Sequence, residues 1–265
     1  MKVRTIALNT FGSFLRNKLL ILFFSLFLCL VLLMMSPLLA RKAMTTAANT
    51  EQMEALVLST VGLVMSLVSG FGSLLAAWAA ADAVASEMKS GTVLAVMARP
   101  LRRWEFLAGK YLGVMLLLAV YVAFMLVVSY FLAWLGGQHI HAATWTLILY
   151  PLVRYAIYAA ISMLLVTMLH PMVTVGLILV LATVSAMVQN ADKWPGWLRI
   201  PLYAVLPSTG LLSEGRFIEL TQATLKPVPW SEHLTAMAYG LDYALVCFLL
   251  AVWSFSHRSL TPQPL

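Results

Sequence analysis

Between Leu19 and Leu39 no residue carries a charge, and Leu56–Ala81 repeats the pattern over a longer stretch. Crossing the roughly 30 Å hydrocarbon core of a bilayer takes about 20 consecutive apolar residues, so either run is long enough to span it. Phe106–Leu135, Ile148–Leu169, Met172–Val188 and Leu234–Phe255 follow as four further runs. Only His170-Pro171 separates the fourth run from the fifth, and the residue before a proline is pushed away from helical geometry. A tight reversal is expected there. A soluble domain carries about 25% charged residues, whereas this 265-residue chain is 10% charged and 62% hydrophobic, with a mean hydropathy of +0.92. The expectation is an all-α integral membrane protein: six transmembrane helices in a single domain, 1–265.

Six spans place both termini on one side, and basic residues cluster on the cytoplasmic side of a membrane protein. Lys2, Arg4, Arg16, Lys18, Lys89, Arg99, Arg102, Arg103, Lys110 and Arg258 fall on the side of the termini. Arg41, Lys42, Lys193, Arg199, Arg216 and Lys226 fall opposite, with six acidic residues beside them. Both termini are therefore expected in the cytoplasm, with the chain in the cytoplasmic (inner) membrane. The first apolar run is too long for a signal-peptide core and lacks a good small-residue cleavage site at Leu38-Leu39-Ala40, so it reads as an uncleaved signal anchor. Ahead of it, Leu8, Phe11 and Leu15 recur at helical spacing, and residues 1–18 are expected to form an amphipathic helix in the membrane interface. Residues 189–233 form the one long segment outside the spans. Its "WPGWLRIPLYAVLPSTGLL" has the composition of the headgroup zone, which predicts an outer re-entrant or amphipathic segment packed onto the spans.

The net charge of +7 does not indicate nucleic acid, because no basic helix with interleaved aromatics and no zinc-ligand spacing is present. Cys29 and Cys247 lie far apart in apolar runs, so no disulfide framework is expected. Gly109-Lys110 resembles the end of a phosphate loop, but Trp104 stands where the first glycine belongs and Tyr111 where Ser or Thr belongs. His139-x-His141 reads as a solvated pair, and the fifteen methionines read as packing. No catalytic residue, metal site or cofactor is assigned.

Charges inside membrane spans are functional candidates. Arg154 lies near the start of the fourth run, close enough to the surface to snorkel or to line a polar path. Asp242 sits nearer the middle of the sixth, where it pairs with a polar group or meets a substrate or proton. A secondary transporter built on Asp242 and Arg154 is one possible function, but the inverted repeats and broken spans of that class are not evident. A non-transporting membrane assembly factor is another.

The charged residues between runs two and three form the most distinctive feature. Asp82 follows the second run, "AVASEMKSGTVLAVM" continues at helix-compatible spacing, and Arg99-Pro100 ends it. Residues 82–105 are expected to hold a short cytoplasmic helix tied to two spans with little slack. On physical grounds that helix binds either a soluble partner or anionic headgroups.

Glu87-x-x-x-Gly91-Thr92, then Arg99-Pro100-Leu101-Arg102-Arg103, then Gly109-Lys110, resembles the signature of type-2 ABC transporter permeases, specifically the short, separate permease subunits of prokaryotic exporters. The resemblance implies that residues 82–105 form a coupling helix docking on an ATP-binding cassette subunit, with Glu87, Gly91, Thr92, Arg99, Arg102 and Arg103 as candidate coupling residues. It further implies a second copy or a homologous permease, with ATP and Mg bound by the partner subunit and no hydrolysis by this chain.

Overall fold

A computed structural model describes residues 2–18, 20–21, 24–29, 32–33, 50–89, 102–135, 146–189, 206–207, 212 and 230–257. Helix α1 is Lys2–Leu15, α2 Thr50–Lys89, α3 Arg103–Leu135, α4 Thr146–Val166, α5 Pro171–Gln189 and α6 Trp230–His257. Among the described residues there is no strand. Among the described residues four helices, α2, α3, α4 and α6, are long and apolar enough to cross a membrane, and α5 is a shorter apolar helix. The described residues of the first apolar run are helical as well. Asn17 separates that run from α1: its amide bonds to the Phe14 carbonyl, and its own carbonyl accepts from the amides of Leu20 and Ile21.

The reversal expected at His170-Pro171 is present. The Met168 and Leu169 amides close onto the Leu165 carbonyl, and the Thr174 amide opens α5 on the His170 carbonyl. Pro171 takes the first helical position, where its missing N–H costs nothing. The second run differs from expectation at its end: α2 continues unbroken from the apolar run through Asp82, Glu87 and Met88 to Lys89. The first eight residues of the expected coupling segment are thus the last turns of a spanning helix. Alanine, glutamate, methionine and lysine all favour helix, and no Gly or Pro interrupts them.

Helices α2 and α4 form the centre of the bundle, with α3, α5 and α6 packed against one or both and α1 lying on α3. Lipid tails are as apolar as leucine, so close packing and interhelical hydrogen bonds hold such helices together. In α2, Ala76, Ala77, Ala79, Ala80, Ala81, Ala83 and Ala85 are all buried, as are Ala156, Ala159 and Ala160 of α4, against which α2 packs. Small side chains bring the two backbones close enough for hydroxyls to reach carbonyls across the seam. Ser162 donates to the Ala77 carbonyl at 2.6 Å. Tyr121 of α3 and Tyr155 of α4 both donate to the Val68 carbonyl of α2, at 2.8 and 3.3 Å.

Helix α6 lays Ala236, Gly240, Ala244, Cys247, Ala251 and Phe255 against the bundle. A Cβ on Gly240 would run into Val153 of α4 and approach Leu212 to 3.1 Å. Leu212 is fully buried, and Ser185 of α5 donates to the Pro207 carbonyl. Pro207 and Leu212 of the 189–233 segment therefore pack onto the spans, whereas Trp230 is exposed. At the same end Tyr150 and His233, both buried, share a hydrogen bond of 2.6 Å.

Candidate functional site

The start of α3 gathers contacts from four other helices. Arg102 caps it: its carbonyl accepts from the amides of Glu105 and Phe106, and Glu105 reaches back to accept from the Arg102 amide at 2.9 Å. That return contact is half of a capping box. Arg103, Phe106 and Lys110 follow at i, i+3 and i+7, which places them on one face. Arg103 donates to the carbonyls of Phe255 and Ser256 at 3.1 and 2.8 Å, satisfying orphan acceptors at the C-terminus of α6 and placing a cation at its negative end. Phe106 stacks on Phe255, with centroids 6.0 Å apart and planes 18° from parallel.

Lys110 forms an ion pair with Glu87 in the last turns of α2. Its ammonium also lies 5.7 Å from the centre of the Phe106 ring. The side chains of Lys110 and Glu87 are 7% and 23% exposed. Breaking such an enclosed pair by removing one partner leaves a charge stranded. On the adjoining stripe Gly109 and Gly113 lie flush against α1. A Cβ at Gly109 would sit 2.6 Å from Ile6 Cβ and 3.2 Å from the Val3 carbonyl; at Gly113 it would meet the Ala7 carbonyl at 2.8 Å. Tyr111 points elsewhere and donates to the Ala156 carbonyl of α4 at 3.0 Å.

Of the expected coupling residues, Glu87, Arg102 and Arg103 come together at this end of the bundle, whereas Gly91, Thr92 and Arg99 lie outside the described residues. Arg102 is exposed, and so is the neighbouring Trp104. Arg154 and Asp242 lie apart. Arg154 is half-buried in α4, its guanidinium 5.9 Å from the centre of the Tyr155 ring. Asp242 is exposed on α6, two residues from Gly240 and so about 200° around the helix from the packed seam. Its pairing with another helix of the chain is not found among the described residues, and no ion pair joins it to Arg154. No cluster of potential metal ligands occurs among the described residues. Sequence reasoning missed the junction with α1, although Gly109-x-x-x-Gly113 is a small-residue spacing typical of close helix contact.

The match between the whole chain and a known family decides the class. The family profile described as ABC-2 family transporter protein matches residues 4–260. This chain belongs to the ABC-2 transporter family. A comparison with curated proteins gave no significant match. The ABC-2 match extends from α1 through α6, so the junction of α1, α2, α3 and α6 lies within the matched residues. An ABC-2 permease is a transmembrane part and does not itself catalyse hydrolysis.

Proposed function

We propose that this ABC-2 permease is the membrane subunit of an ATP-driven exporter, working as a dimer with itself or a related permease and with two separate ATP-binding subunits. The connection from α2 to α3 faces the cytoplasm and receives the ATP-binding subunit. Arg99 and Arg102, with Gly91 and Thr92, form its contact surface, and ATP and Mg are bound by the partner. ATP-driven closure of the partner displaces the connection and reorients the spans around the substrate path.

The observation carrying this reading is the convergence at the start of α3. A segment with exposed Arg102 at its exit is tied within a few residues to α1, α2, α4 and α6. A push there reaches most of the bundle. Helix α1 and the C-terminal end of α6 each pack on the start of α3, through the contacts of Gly109 and Arg103, which agrees with both termini lying on one side.

Co-expression of the tagged chain with candidate ATP-binding subunits, followed by purification in mild detergent, tests the proposal. A stable complex is expected for the unaltered chain. Arg102→Ala combined with Arg99→Ala is expected to reduce recovery about tenfold, the equivalent of 1.4 kcal/mol. Undiminished recovery in the double variant, or transport that follows an ion gradient and survives ATP depletion, overturns the assignment.

A further inference from the structure

Two of the charged residues expected to grip a soluble partner, Glu87 and Arg103, are engaged inside the permease itself. We infer that the Glu87–Lys110 pair is an internal clamp, a positioning device rather than a docking contact, joining the end of α2 to the start of α3 and α1 so that they move as one body. This deepens the coupling reading and rests on it for its role in transport, although the clamp itself does not.

The geometry carries the inference in three steps. Lys110 is too enclosed, at 7% exposure, to meet a soluble protein, and Glu87 turns toward it from α2. The two residues lie 23 positions apart and flank the connection between their helices, so their bond closes the base of that connection. A displacement entering between residues 90 and 101 cannot part α2 from α3 without breaking the pair. Gly109 and Gly113, beside Lys110, let α1 lie directly on α3, so α1 follows. Arg103 continues the clamp to α6 through the Phe255 and Ser256 carbonyls, supported by the stacked Phe106 and Phe255 rings. Of the expected coupling residues that are described, Arg102 is the exposed one, while Glu87 and Arg103 are half-buried.

The test uses the full chain alone in lipid nanodiscs, with Cys29 and Cys247 replaced and spin labels at Asn9 of α1 and Ser86 of α2, both exposed. Pulsed dipolar spectroscopy is expected to give one narrow α1–α2 distance. Glu87→Gln and Lys110→Met should each broaden it, the reversed pair E87K/K110E should restore it, and a control pair at Leu177 and Leu249 should stay unchanged throughout. An α1–α2 distance indifferent to both single substitutions overturns the clamp. So does broadening that the reversed pair does not repair, because a merely structural loss would also leave the reversed pair disordered.

A second arm adds an ATP-binding subunit that forms a complex with the unaltered chain. Glu87→Gln is expected to keep the complex and to lower stimulation of its ATPase rate about tenfold, within the range of allosteric coupling energies. Loss of the complex in Glu87→Gln returns Glu87 to the docking surface and overturns the clamp. If the unaltered chain binds no such subunit, the coupling reading fails while the distance measurements still decide the clamp.

Discussion

Gly72→Ala is expected to destabilise the protein by about 2–3 kcal/mol, the cost of overpacking a closed interior. The added methyl group would land on the hydroxyl and ring of Tyr155. Tyr155 is fully buried and cannot swing aside cheaply, because its hydroxyl donates to the Val68 carbonyl of α2, one turn before Gly72. Tyr121 occupies another side of that carbonyl. Tyr155→Ala should itself cost about 3–5 kcal/mol through the cavity it leaves. In that background Gly72→Ala should be close to neutral, since its obstacle is gone. A double-mutant cycle on thermal unfolding in detergent reads the difference. Equal costs of Gly72→Ala in both backgrounds would show that the contact between α2 and α4 is not made as described.

Gly113→Leu should lift α1 from α3. The obstacle at this position is partly backbone, the Ala7 carbonyl, and so cannot rotate away, while Thr10 closes the other side. About 1–3 kcal/mol of stability should be lost, with a local signature beyond it. Thr10 is 2% exposed, so a cysteine in its place, with Cys29 and Cys247 replaced, should resist a water-soluble maleimide in the Gly113 chain and react readily in the Gly113→Leu chain. Protection of position 10 in both would mean that α1 docks through some other surface.

The apolar runs were readable because a bilayer leaves the backbone few choices. In hydrocarbon each N–H and C=O must find a partner within the chain, so Met172–Val188 becomes α5 almost residue for residue. The exposed positions of α1 were partly legible too: Leu8 and Leu15, expected on its apolar face, are about half exposed and turned away from α3. Its packed face, with Ala7, Thr10 and Phe14 buried, escaped notice because the matching surface on α3 is two glycines, which offer no hydrophobic contrast. The end of α2 was read too early because Asp82 marks where apolar character stops, and helical propensity does not stop with it. The Glu87–Lys110 pair was out of reach because no local period links residues on two helices. Asp242 stood out in the sequence as an intramembrane charge, but which side of α6 it takes depends on where Gly240 and Ala244 find room to pack.

The length of α2 has mechanical implications. Forty residues at 1.5 Å each make a rod of about 60 Å, roughly twice the thickness of the hydrocarbon core. Two tyrosines hold it at Val68, near its midpoint, with arms of about 27 and 31 Å on either side. Between Val68 and Lys89 the rod is fastened again, to α4 by the Ser162 bond to the Ala77 carbonyl and to α3 by the Glu87–Lys110 pair. Tilting α2 alone about Val68 would break these contacts, whereas a stroke at the Lys89 tip that keeps them carries α2, α3 and α4 together.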